Sequence, residues 1–381
     1  MDKRGAGTHL FNMLNDFCNK LLGDNPAFKH YSPFMSSLLD VLGWTAPIIQ
    51  APMAGVQNHR LTAAVCQAGG LGSLPAAMLS SSDLLVQLHA LQQATAKAYN
   101  VNFFCHAVPA PDVAKETAWL QHLQPYYQEL GLEIQNIPSG PGRVPFNHEA
   151  ADVLQAFRPA VISFHFGLPS ADLMARVRSW GSLIFSSATT VDEALWLQAQ
   201  GVDAIIAQGL EAGGHRGMFL TEDVSSQVET FTLLTDIVHA VRLPVIAAGG
   251  IANASSVQRA KAAGAAGVQI GTAYLCSDEA TTSVLHREAL QTPNRQTALT
   301  PVFTGRPARG IINRAMQALE PLSHLAPAFP LATAAMTPLR TAAEARGRSD
   351  FSPLWAGQSN TPIANGPASE ITRTFIAAWQ D

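Results

Sequence analysis

Leu243-Pro-Val-Ile-Ala-Ala-Gly-Gly-Ile251 and Ala266-Gly-Val-Gln-Ile-Gly-Thr272 decide the fold of this 381-residue chain. Each is a short apolar run, β-branched enough for a buried strand, that ends in glycine. An Ala-rich helical stretch at 254–263 joins them. Two consecutive strand–loop units of this form cradle a phosphate with backbone N–H groups. In (β/α)8 barrels the phosphate site is commonly built from the loops after strands seven and eight. The fold therefore depends on whether these are the seventh and eighth strands.

Counting from the N-terminus places them there. Candidate strands are 47–51, 70–74, 99–104, 160–164, 183–187, 203–208, 244–248 and 267–270. Helical patterns fill most gaps, at 60–68, 83–96, 171–180, 191–200, 229–241 and 254–263, with caps such as Ser82 and Thr190. Strand followed by helix, with nearly all-apolar strands, predicts a parallel sheet, closed or doubly wound. Eight units with the phosphate signals in the last two predict an α/β fold, a (β/α)8 TIM barrel.

A barrel needs ~250 residues, so this chain carries additions. Residues 1–35 form an N-terminal extension, with 9–22 as a helix. The barrel runs over 36–276 and holds an insertion at about 105–158, whose helical stretch 113–132 carries Tyr126 and Tyr127. Residues 277–349 show no strand–helix rhythm and read as a smaller, mainly helical cap (280–290, 312–318, 342–345) over the C-terminal mouth. Residues 350–381 return to the barrel.

Composition narrows the function. Hydrophobic residues make up 47% of the chain and charged ones only 14%, which suits a large core. A net charge of −4 leaves no basic footprint for nucleic acid. No apolar run approaches the ~20 residues of a membrane span. The first residues are basic, but no apolar segment of a secretory signal follows. Cys18, Cys66, Cys105 and Cys276 are scattered, with neither metal-like spacing nor a disulfide framework. A cytoplasmic protein is expected, without a metal, as a monomer or homodimer.

The chemistry concentrates in Gly209-Leu-Glu-Ala-Gly-Gly-His-Arg-Gly217. It follows the sixth strand, so His215 sits just past a strand's C-terminal end, where catalytic groups of parallel α/β enzymes gather. Gly213 and Gly214 allow a tight turn and a close backbone approach to a ligand. Protonated His215 could hold an anion, and neutral His215 could act as a general base.

Several segments carry a resemblance. They are Pro47-Ile-Ile-Gln-Ala-Pro-Met-Ala-Gly55, Gly69-Gly-Leu-Gly72, Val101-Asn102, Phe164-His-Phe-Gly167, Glu211–Gly217, Ala248-Gly-Gly-Ile251 and Gln269-Ile-Gly-Thr272. In this order and at barrel spacing, the chain resembles the nitronate monooxygenases, formerly called 2-nitropropane dioxygenases. Phe164–Gly167 and Pro353-Leu-Trp-Ala-Gly-Gln358 look like the class I branch. The resemblance covers roughly residues 43–375. It implies an FMN-dependent enzyme that oxidises alkyl nitronates such as propionate-3-nitronate with O2, without a metal and without NAD(P)H, and so detoxifies nitro compounds.

The resemblance also suggests roles. His215 is the first catalytic candidate, and His165, at the end of the fourth strand, is the second. Ala51, Pro52 and Met53 would pack beside the flavin, and the Asn102 amide would bond its ring edge. Gln208 could contact the flavin, and Gln269 could reach the ring edge or the phosphate. Ala248, Gly249, Gly250, Gly271 and Thr272 are phosphate candidates, beside Gly213 and Gly214 on the histidine turn. Trp355, Gly357 and Gln358 belong to the returning segment. The arginines of Thr304-Gly-Arg-Pro-Ala-Arg309 anchor the cap. No G-x-G-x-x-G follows the first strand, which points to a mononucleotide rather than a dinucleotide. The alternative is an FMN-dependent enoyl-acyl-carrier-protein reductase, which would need NAD(P)H. An IMP-dehydrogenase-like barrel would need a cysteine on the loop after the sixth strand, and 209–217 has none. A non-enzymatic flavin sensor would have no use for His215.

Overall fold

The computed structural model describes residues 46–137, 142–319 and 324–381. The extension at 1–35, with its helix at 9–22, lies outside the described residues. In chain order the strands are β1 (Ile48–Gln50), β2 (Ser73–Pro75), β3 (Asn100–Phe104), β4 (Val161–His165), β5 (Leu183–Ala188) and β6 (Ala204–Gln208). Then come the two-residue β7 (Gly214–His215), β8 (Val245–Ala248), β9 (Gly267–Ile270), β10 (Thr297–Thr300) and β11 (Ala308–Ile311).

Eight of these form one parallel sheet, in the order β1-β9-β8-β6-β5-β4-β3-β2. A parallel bridge between Ile49 and Leu71, just ahead of β2, closes the ring. There Leu71 N–H donates to the Ile48 carbonyl at 2.8 Å, and Gln50 N–H to the Leu71 carbonyl at 2.9 Å. The result is the (β/α)8 barrel that the apolar strand runs predict. Both strand faces are covered, so residues such as Ile48, Ile49, Val161, Ile162 and Val268 are wholly buried.

The helices start where side chains satisfy free backbone N–H groups. Thr190 accepts from Glu193 N–H at 3.2 Å, and Asn253 forms a capping box with Ser256. Ahead of Ser81–Ala94 the cap is Ser80, two residues earlier than the expected Ser82. The helix His148–Phe157, capped by Asn147, completes the unit before β4 and is absent from the sequence expectation.

The region after β9 differs from a mainly helical block. It has the helices Val284–Gln291, Arg314–Ala318 and Ala332–Glu344, but also β10 and β11, which pair antiparallel with each other. β11 also pairs with β7, so Ala308 lies opposite His215. Strands of four residues without apolar alternation carry no period of their own. Only the tertiary partner makes them strands. The insertion helix Val113–Glu129 shares a core with this region, in which Trp119, Leu123 and Tyr127 pack with Val302, Met316, Met336 and Phe351. The Tyr127 hydroxyl donates to the Ala335 carbonyl at 2.6 Å. The returning chain ends in the helix Ala368–Gln380, which packs on the barrel helices Ala254–Ala262 and His59–Gln67.

Candidate active site

The C-terminal ends of the barrel strands open onto one cavity. It is lined by Ala51, Pro52 and Met53 after β1, by Asn102 and Phe104 of β3, and by Ser163 and His165 of β4. Ser187 of β5, Gln208 of β6 and the histidine turn with Gly213, Gly214 and His215 form another wall. Ala248, Gly249 and Gly250 after β8, and Gln269, Gly271 and Thr272 at β9, complete it with Trp355 and Gly357. Of the residues that the sequence places at a ligand, Gln358 alone lies outside this lining. It is exposed, and its N–H donates to the Glu211 carbonyl at 2.9 Å.

His215 is held from both sides. Its backbone pairs with Ala308, and its carbonyl accepts from Gln208 Nε2 at 2.9 Å and from His165 Nε2 at 3.2 Å. Its Nε2 lies 2.9 Å from Thr304 Oγ1, and that hydroxyl donates to the Arg306 carbonyl at 3.4 Å. Nδ1 of His215 makes no hydrogen bond among the described residues, so it is the ring nitrogen open to a ligand. Rings of Phe104, Phe166, Phe329 and Trp355 stand 5.3–6.0 Å from the imidazole. Burial in this apolar box holds the His215 pKa well below the ordinary imidazole value, and the nearby cations of Arg143 and Arg306 push the same way. His215 is therefore neutral near pH 7, which removes the protonated form as its resting state.

His165 is arranged differently. A carbonyl can only accept, so the bond to the His215 carbonyl places the proton on Nε2. Nδ1, 3.0 Å from Ser187 Oγ, then accepts from that hydroxyl. Burial, opposed by the bond to the His215 carbonyl, pushes the His165 pKa down to about 3. Both ring nitrogens are thus engaged within the protein, so His165 shapes and orients rather than moves a proton. The residue after it, Phe166, takes φ +69, costly for a bulky side chain, and its ring becomes part of the box.

Gln208 is committed too. Its Oε1 accepts from Gly217 N–H at 2.7 Å while its Nε2 holds the His215 carbonyl, so its amide fastens the histidine turn from the cavity wall. Asn102 Nδ2 donates to Ser163 Oγ at 2.9 Å, which leaves its carbonyl oxygen for any further contact. Two glycines are steric necessities. A Cβ on Gly217 would stand 2.7 Å from His165 Cε1, and one on Gly213 would stand 2.6 Å from the backbone of Ala356 and Gly357.

The opposite wall fits a phosphate-bearing cofactor. Gly249 and Gly250 take φ +113 and +67, which turns the chain end of β8 back over the cavity. The Thr272 hydroxyl accepts from Gly357 N–H at 2.9 Å and ties the returning segment to the β9 loop. Gln269 Oε1 is buried without a hydrogen-bond partner, an acceptor aimed at something the protein alone does not supply. Among the described residues no cluster of His, Cys, Asp or Glu is placed to hold a metal ion.

Several contributors escape the sequence reading. Thr304 lies in a segment read only as a cap anchor, although Arg306 and Arg309 do bond the barrel loops, at the Met218 and Leu210 carbonyls. Phe104, Phe166 and Phe329 look like ordinary core residues, and Arg143 is a lone cation in the insertion. Phe166 and Thr304 sit in segments that the resemblance includes, but nothing in those segments marks them as facing His215, and Phe104, Phe329 and Arg143 lie in no motif.

Comparison with known proteins agrees with this arrangement. The family model described as nitronate monooxygenase matches residues 35–376. The nitronate monooxygenase of Pseudomonas aeruginosa is 39% identical over 346 residues, covering 88% of this chain and 97% of its own. The crystal structure of nitroalkane oxidase from Streptomyces ansochromogenes superposes with a TM-score of 0.81 at 36% identity, covering 90% and 97% of the two chains. FabK from Thermotoga maritima shares the fold, at a TM-score of 0.66 and 24% identity, over 90% of this chain and 96% of that one. With its family model spanning barrel, histidine turn and returning segment alike, the chain belongs to the nitronate monooxygenase family.

Proposed function

We propose that this protein binds FMN in the barrel mouth and oxidises alkyl nitronates with O2. The observation that carries the reading is His215, its Nδ1 without a hydrogen bond among the described residues, ringed by aromatic side chains and lining one cavity with the two glycine loops. Family membership supports a flavin, and the glycine loops support one phosphate rather than two. The amides of the β8 and β9 loops, with Gly213 and Gly214, would hold the phosphate. Met53 and the Asn102 carbonyl would flank the ring system, and Gln269 would accept from its edge. When bound, FMN supplies the electron-accepting and O2-reducing chemistry that no side chain here possesses.

The remaining work falls to the residues. The aromatic rings around His215 lower the local dielectric, so the charge of a bound nitronate is less screened there than in water. An anion beside His215 favours the imidazolium, so nitronate binding draws a proton onto the ring, and Nδ1–H faces the nitronate oxygens. Toward a neutral nitroalkane Nδ1, in the tautomer that leaves it unprotonated, is a general base. Gln208 and His165 keep the ring in place by holding its backbone carbonyl.

The purified protein should be yellow and release FMN rather than FAD on denaturation. It should consume O2 with propyl-1-nitronate in the absence of NADH. A colourless protein that cannot be reconstituted with FMN would defeat the proposal. Rapid NADPH oxidation dependent on an enoyl thioester, without nitronate turnover, would instead establish a reductase.

A further inference from the structure

Arg143 enters the cavity from the insertion, on a segment tied to the barrel by Phe146 N–H donating to the Phe104 carbonyl at 2.8 Å. Phe146 itself packs against Phe103 and Phe164, with ring centroids 4.8 and 5.3 Å away. The guanidinium carbon stands 5.5 Å from the Phe329 centroid, and the His215 ring stands 5.3 Å from the same centroid. Arg143 and His215 thus line one cavity and both stand against the Phe329 ring. Arg143 Nη1 donates to Thr333 Oγ1 at 3.0 Å, a neutral partner.

No carboxylate among the described residues answers its charge. Of the other arginines near the mouth, Arg216 has Glu211 and Glu193 in electrostatic range, Arg306 has Glu222 and Glu193, and Arg309 has Glu211. Arg295, on the same cavity, has no carboxylate among the described residues but donates to the Leu290 and Ser359 carbonyls, whereas Arg143 shares the Phe329 ring with His215. Arg143 makes no ion pair among the described residues. Burial lowers its guanidinium to about 10, with no carboxylate opposing the shift. A partly buried cation that lines a ligand cavity with no carboxylate beside it among the described residues is stabilised when an anion arrives. A guanidinium presents a planar fork that matches a carboxylate with two parallel N–H donors.

We propose that Arg143 is a specificity-determining residue: it binds a carboxylate at the far end of the substrate while the nitronate group lies at His215. This rests on the nitronate reading above. The pocket then selects short dianionic substrates, with a nitronate at one end and a carboxylate at the other, over nitronates that carry only an alkyl chain.

The test compares kcat/KM for propionate-3-nitronate and propyl-1-nitronate, by O2 uptake, in the holoenzyme and in its Arg143→Gln and Arg143→Lys variants. The ratio of the two values should fall about 30-fold or more in Arg143→Gln, the scale for truncating one partner of a desolvated charge pair. Arg143→Lys should retain more of the ratio, because the charge stays while the fork is lost. An equal loss for both substrates, or an unchanged ratio, would overturn the proposal. A titration with unreactive propionate, followed by Trp fluorescence and the visible spectrum of the bound flavin, separates this from the activity itself. If the parent turns over neither nitronate, the activity reading fails. Loss of propionate binding in Arg143→Gln alone would then still support the anion site, and retention would overturn it.

Discussion

At the scale of single residues, His215 shows why residue type and environment must be read together. Histidine is chosen for a pKa near neutrality, yet the aromatic box removes that property and leaves a neutral ring with one lone pair. His215→Ala should keep the flavin, because the glycine loops on the opposite wall are untouched. It should lose about a hundredfold in nitronate turnover, the equivalent of ~2–4 kcal/mol for one well-placed group at developing charge. Visible spectra and O2 uptake on the same preparation check both halves. Turnover at the parental rate would make His215 structural, and since both nitrogens of His165 are engaged, no other imidazole lining the barrel mouth at β4–β6 is free to replace it.

At the scale of elements, the loop that carries His215 is pinned by a buried carboxylate. Glu193 opens the helix Val191–Ala199 and is fully buried. Its Oε2 accepts from Thr189 N–H at 2.6 Å and Thr189 Oγ1 at 2.8 Å, while Oε1 accepts from Phe219 N–H at 2.5 Å and Leu220 N–H at 3.2 Å. One side chain thus fastens the turn after β5 to the chain just past the histidine turn. Glu193→Ala strands several buried donors at once and should cost about 2–4 kcal/mol by urea unfolding. The same variant should lower nitronate turnover more than flavin occupancy, because the histidine loop loosens while the β8 and β9 loops do not. A stability within experimental error of the parent's would show that water replaces the carboxylate. No sequence pattern announces this link, since a glutamate in the first turn of a helix reads as an exposed capping charge.

At the scale of the whole molecule, burial of imidazoles makes stability depend on pH. Burial holds His106 and His286 down to about 4 and His165 to about 3, against about 6.5 for an exposed imidazole. Folded-state values below the unfolded ones mean that the unfolded chain binds more protons as pH falls. The stability that these groups contribute is complete above about pH 6.5 and drains away as pH falls toward about 4. Thermal melts at pH 7.5, 6.0 and 5.0 should show a progressive drop in Tm before the carboxylates titrate. A flat profile between pH 6.5 and 5 would mean that these rings are hydrated or protonated in the folded protein.

The sequence by itself determined the barrel and the phosphate-type wall. Parallel strands buried on both faces must be continuous apolar runs, and loops that bring amides to a ligand must carry glycine at fixed places. Both demands are local, so Leu243–Ile251 and Ala266–Thr272 display them openly. Only the tertiary structure decided the other wall. Whether β10 and β11 are strands depends on β7 as a partner, whether the Gln208 amide holds the histidine turn depends on the loop that meets both its ends, and whether His215 carries a charge depends on phenylalanines from β3, the turn after β4 and the region after β11. Arg143 becomes part of the site because an insertion folds back over the mouth. Hydrogen-bond partners, counter-ions and local dielectric are set by residues distant in sequence, and no periodicity or spacing encodes them.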